Sequence, residues 1–143
     1  MNIDESLKKK ELTGFVKFLG IKITRAEPGY SECEAKIDQN VLNPSGTAHG
    51  GFTMTLMDTA AGVCGVTRGR YITTANANVA FLNPVRSEAT KITAMAKEIK
   101  TGWRLQIIDV DVYDDTGVHV AKGTFTFYRL AEIEGFEIGN LTS

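Results

Sequence analysis

Apolar residues along this chain first recur at the spacing of a helix and later alternate as in strands, and each change of period marks an element. Across residues 5–18, Leu7, Leu12, Phe15 and Phe18, with Leu19 just beyond, sit among lysines at near-helical intervals. The pattern predicts a short amphipathic helix that packs as a lid or brace. Ile21 and Ile23, then a run from Tyr30 to Ile37, flank Pro28-Gly29, so this stretch reads as a β-hairpin. Asn43-Pro44-Ser45-Gly46-Thr47-Ala48-His49-Gly50-Gly51 is a loop by composition, because Asn-Pro starts turns and glycine reaches backbone angles that other residues avoid. From Phe52 to Val66 the chain is apolar nearly all the way round, the mark of a helix placed in the interior.

Strand-like segments follow at Tyr71 to Leu82, Ala89 to Ile99, Trp103 to Tyr113 and Val118 to Tyr128. Thr101-Gly102 and Asp114-Asp115-Thr116-Gly117 are short enough for antiparallel hairpins, and the segments are expected to form a meander. Alternation is plain at Ile108, Val110 and Val112, with Asp109 and Asp111 facing the other way. Periodicity fades after Leu130, which predicts a tail or a weakly held last turn. The expected architecture is α+β: one domain over residues 1–143, a brace helix at 5–18, a core over about 20–130 and a tail at 131–143.

A length of 143 residues fits one compact domain and excludes a two-domain dehydrogenase or kinase. Sixteen basic against seventeen acidic residues, with no Lys/Arg stripe, leave nucleic acid and membrane surfaces without an electrostatic footprint. The charged start of the chain, Asp4 to Glu11, lacks the apolar core of a signal peptide, so the cytoplasm is the expected compartment. Cys33 and Cys64 have no Cys or His neighbour at metal-ligand spacing and read as packed thiols; no metal site is expected.

Between His49 and Arg68 the only charged side chain is Asp58, in the middle of the apolar helix. A carboxylate buried there costs several kcal/mol unless paired, hydrogen-bonded or protonated, so it is the leading catalytic candidate; the plain alternative is an acid that caps a loop or pairs with a lysine. At the helix start, His49-Gly50-Gly51 offers two amides without side chains at the positive end of the macrodipole, suited to a developing oxyanion. Gly50 and Gly51 equally suit a tight turn into the helix. Asp58 lies eight residues beyond Gly50, which at 1.5 Å per residue is about 12 Å along the axis. One chain therefore cannot bring both groups to one carbonyl. If they cooperate, two copies lie antiparallel across a two-fold axis with two equivalent sites.

Three motifs carry a resemblance. Asn43-Pro44-x-Gly46-x-x-His49-Gly50-Gly51, Leu56-Met57-Asp58-Thr59-Ala60 and Asn78-Val79-Ala80-Phe81-Leu82-Asn83-Pro84, in this order, resemble the hotdog-fold acyl-CoA thioesterases of the phenylacetic-acid-degradation, or PaaI-like, type. The resemblance runs from about Gly20 to Tyr128. It implies a five- or six-stranded antiparallel sheet wrapped around the central helix, dimers with a continuous sheet, and often tetramers. It implies Asp58 as general base or nucleophile, the Gly50 amide as donor to the thioester carbonyl, and Asn43 as a polar partner near the attacking water. His49 then either positions the loop or acts directly, and Thr74 helps to orient the water. Gly51, Met54 and Met57 lie on the same helix; the methionines are core packing or the wall of an acyl tunnel. Asn76 and Asn78 either line the pocket or pair with neighbouring backbone. Arg68, Arg70, Lys100 and Arg104 are either contacts for CoA phosphates or solvated surface charges.

The expected reaction is hydrolysis of an acyl-CoA thioester, whose electrophilic carbonyl needs one oriented donor and one carboxylate but no cofactor. Two other classes stay open: a hotdog hydratase or dehydratase using His49 as base, and a non-catalytic acyl-CoA binding protein.

Overall fold

A computed structural model describes residues 12–142. A five-residue helix, α1 (Gly14–Phe18), leads into a hairpin of β1 (Lys22–Glu27) and β2 (Tyr30–Lys36). The long helix α2 (Gly50–Val66) precedes four strands: β3 (Arg70–Phe81), β4 (Lys91–Thr101), β5 (Leu105–Asp114) and β6 (His119–Glu132). All pairings are antiparallel, in one six-stranded sheet of order β1-β2-β4-β5-β6-β3. This is the expected α+β arrangement, a sheet wrapped around one helix. Among the described residues no helix is long and apolar enough to cross a membrane.

The hairpin turns at Gly29, where φ is 75°, a conformation in which a side chain would be strained. The helix lies on the sheet through Phe52, Leu56, Met57, Ala60, Ala61 and Cys64, which meet inward residues of the strands such as Ile92, Ile108 and Phe125. Ser31 Oγ donates to the Ala60 carbonyl at 2.6 Å and Gln106 Nε2 to the Gly65 carbonyl at 3.2 Å, tying helix to sheet along its length. Both cysteines are fully buried, and burial pushes each thiol up to about 12.

Four sequence expectations are corrected. The meander comprises only β4, β5 and β6; β3 lies beyond β6 at the far edge, and β4 pairs with β2. Moving from β3 to β4 means passing three strand spacings, about 14 Å, which residues 82–90 span with ease. Val85 and Ala89 are buried along that crossover, so the separator is itself part of the core. The central helix is enclosed on the sheet side only: Gly51, Met54, Thr55, Asp58, Thr59, Gly62 and Val66 form a half-buried to exposed stripe on its other side. The tail is docked, because β6 runs on to Glu132 and Ile133 and Leu141 are buried behind a final 3-10 turn, Ile138–Asn140. In α1, Val16 packs on the core, as do Leu12 and Leu19 on either side of it, while Phe15 and Phe18 are 63% and 81% exposed. Leu7 and the first turns of the expected brace helix lie outside the described residues.

Two features of β3 bear on function. It pairs with β6 alone, so among the described residues its other edge carries no strand along its 12-residue length. A register shift between Thr74 and Asn76 leaves Ala75 as an extra residue: Thr74 pairs with Phe127 and Asn76 with Thr126.

Candidate active site

The loop before α2 is built by Asn43. Its Oδ1 accepts from the Ser45 and Thr47 amides at 2.9 and 3.1 Å, its Nδ2 donates to Thr47 Oγ1 at 2.7 Å, and Gly46 takes a φ of 81° at the corner. The side chain expected near an attacking water is thus engaged with its own turn. The chain enters the helix through His49, the N-cap residue, whose Nδ1 accepts from the Gly51 amide at 2.8 Å. The amides of Phe52 and Thr53 both reach the His49 carbonyl, at 3.0 and 3.3 Å. The cap therefore divides the amides of the helix start. Gly51 is taken by the His49 ring, and Gly50 N–H is the one for which no protein acceptor is found among the described residues. The expectation of two outward glycine amides reduces to one.

Asp58 lies two turns further along, on the open stripe of the helix, and is half-buried rather than sunk in the core. The residues i−4 and i+4 from it, Met54 and Gly62, do not enclose it because they share that stripe. Thr74 Oγ1 donates to Asp58 Oδ1 at 2.7 Å, and among the described residues no other hydrogen-bond donor reaches this carboxylate. The register shift at Ala75 is what aims Thr74 inward, beside Phe127. The pair lines a cleft of about 360 Å³ together with Thr59, Thr73 and a largely apolar set that includes Ile23, Val63, Ile72 and Phe127. A carboxylate in such a place keeps access to water and faces a surface that suits a hydrocarbon group.

The other candidates scatter. Met57 is fully buried, with its methyl against Gly123, and is core packing; Met54 is half-buried on the open stripe. Asn76 and Asn78 lie on the outer face of the sheet, where Asn78 Nδ2 donates to Asn76 Oδ1 at 3.0 Å, so neither lines the cleft. Arg104 is exposed in the turn between β4 and β5 and does not line it either. Arg68 pairs with Glu98 of β4 at 2.5 Å and Arg70 donates to the Leu130 carbonyl of β6 at 2.6 Å, so both are engaged with neighbouring strands. The Arg68 guanidinium holds the Glu98 carboxyl below its ordinary range. Sequence reading missed the walls of the cleft, which come from Leu12, Ile23, Ile72, Phe127 and Leu141, distant in the chain. Gly62 had a signal in its helical spacing, four residues on from Asp58.

A family model described as the thioesterase superfamily matches residues 45–121, from the Asn43 turn through the helix to β6. The chain belongs to this superfamily. Human acyl-coenzyme A thioesterase 13 is 33% identical over 117 residues, covering 78% of this chain and 82% of that one. A mutant of the phenylacetic acid degradation protein PaaI from Thermus thermophilus superposes with a TM-score of 0.76 at 30% identity, over 81% of this chain and 98% of that one. A hypothetical thioesterase protein of Streptococcus pneumoniae TIGR4, crystallised with coenzyme A, gives a TM-score of 0.74 at 25% identity, over 78% and 90% of the two chains. This thioesterase is therefore of the hotdog, PaaI-like kind.

Proposed function

We propose that the chain hydrolyses acyl-CoA thioesters to free acid and coenzyme A, with Asp58 as general base or nucleophile and the Gly50 amide as donor to the carbonyl oxygen. The observation that carries this reading is the Asp58 carboxylate, held by Thr74, in the lining of a largely apolar cleft. As base, Asp58 takes a proton from water as the oxygen adds to the thioester carbon; the tetrahedral oxyanion then collapses, the C–S bond breaks and the thiolate leaves. As nucleophile, its oxygen displaces the thiolate to give a mixed anhydride that water cleaves. In both courses negative charge grows on the carbonyl oxygen, and a free amide at a helix start stabilises it. Thr74 is a positioning residue. His49 acts through the cap, by engaging Gly51 and leaving Gly50 as the donor.

The two groups come together in a homodimer. Gly50 lies beside Phe81, with an ideal Cβ 3.5 Å from that ring, and Asp58 lies beside Thr74. An antiparallel pairing of two copies along the free edge of β3 sets the Thr74 end of one strand across from the Phe81 end of the other, and so the carboxylate of one near the helix start of the other. Acyl-CoA as substrate draws support from the human relative, an acyl-coenzyme A thioesterase, and from the coenzyme A in the streptococcal structure.

The test is a panel of aromatic and aliphatic acyl-CoAs with the released thiol read by a chromogenic disulfide. Thiol release is the expected result. Loss of the conjugated double bond of crotonyl-CoA without thiol release points to a hydratase, and stoichiometric binding without turnover to a carrier; either overturns the reading.

A further inference from the structure

The cleft beside Asp58 is not the only one at this end of the molecule. A second, of about 220 Å³, adjoins it, against Lys17, Gly20 and Lys22. Three side chains line both clefts: Leu12, Ile23 and Leu141. They come from three separate places in the chain: the approach to α1, the edge strand β1 and the final turn. Ile23 is fixed by the sheet, whereas Leu141 hangs on a single 3-10 turn docked against β1, and Leu12 is half-buried ahead of α1. Leu141 is 2% exposed, so the 3-10 turn buries this side chain between the two clefts.

We infer that Leu12, Ile23 and Leu141 form a partition that sets the length of acyl chain the enzyme accepts, with the segment before α1 and the 3-10 turn after β6 acting as the stop. The inference rests on the thioester-hydrolase reading given above and adds to it the residues that determine specificity. A carbonyl held at Asp58 sends its hydrocarbon tail down the apolar wall, and the tail meets the partition before it meets solvent. Leu141→Ala removes three carbons from the partition and joins the two clefts. Each methylene that then leaves water is worth about a fourfold gain in kcat/KM.

The experiment measures kcat/KM over saturated acyl-CoAs from butyryl to palmitoyl for wild type, Leu141→Ala, Leu12→Ala and Leu141→Phe, with thermal unfolding of each. The two alanine variants are expected to raise the palmitoyl-to-butyryl ratio about tenfold or more, and the phenylalanine variant to lower it. Leu12 is only half-buried, so Leu12→Ala decides the matter if Leu141→Ala does not fold. An unchanged ratio in a folded alanine variant overturns the partition while leaving hydrolysis standing. A wild type that releases thiol from no member of the series overturns the hydrolase reading, and the partition with it.

Discussion

Replacing Asp58 by Asn separates the chemistry of the carboxylate from its place in the fold. Asn has the same shape, and its Oδ1 can still accept from Thr74 Oγ1, now 2.7 Å from the carboxylate. The residue is half-buried on the open stripe of the helix, so unfolding free energy should change by no more than about 0.5 kcal/mol. Without a base or nucleophile, turnover should fall about a hundred- to ten-thousandfold, or about 2.7–5.5 kcal/mol of transition-state stabilisation. Thr74→Val removes one hydrogen bond to a charged acceptor, about 1.5–3 kcal/mol, and should slow turnover by about ten- to a hundredfold. Because Thr74 acts through Asp58, the double variant should be no slower than Asp58→Asn alone. Initial rates of thiol release from one acyl-CoA, with urea unfolding as the control, measure all four proteins. Near-wild-type turnover by Asp58→Asn refutes its role. Fully additive losses in the double variant refute the claim that Thr74 works by positioning it.

His49→Ala should lose about 1 kcal/mol in urea unfolding and much of its activity, while His49→Asn, a good N-cap, restores both; restored stability with activity still lost would show the ring acting directly. Sedimentation velocity should find the active species as a dimer or a multiple of one, and a fully active monomer rules out the shared site. Glu98 titrates below its ordinary 4.5 because of Arg68, so its contribution to stability is present above about pH 4.5 and is lost as pH falls through the folded value. Glu98→Gln should therefore be destabilised by about 1 kcal/mol or less at neutral pH, a gap that narrows below pH 4.5; a constant gap in pH-dependent melting argues against the pair.

The fold was legible wherever a local period decides it: the apolar run at Phe52 to Val66 became α2, Pro28-Gly29 became a hairpin turn, and six antiparallel strands wrap one helix. Strand order was not legible, because the placing of β3 beyond β6 depends on a crossover whose buried anchor Val85 looks like a loop residue in sequence. Asp58 stood out as a lone charge, although the reason differed from the one expected: on the open stripe it is half-buried and not enclosed by the core. The difference between Gly50 and Gly51 was hidden, since it turns on which way one imidazole points. Strict alternation would have placed Thr74, Asn76 and Asn78 on one face, and a one-residue insertion in the ladder divides them.

That insertion leaves β3 with a second reading frame. In an unbroken ladder Ala75 would take the place opposite Phe127, and a methyl group would stand before the carboxylate with the Thr74 hydroxyl turned to the outer surface. A slip of a single residue, with no change in composition, thus suffices to switch the polar partner off. The edge strand on which a second copy is proposed to dock is the same one that would have to slip, so assembly would lock the frame in which the hydroxyl faces inward.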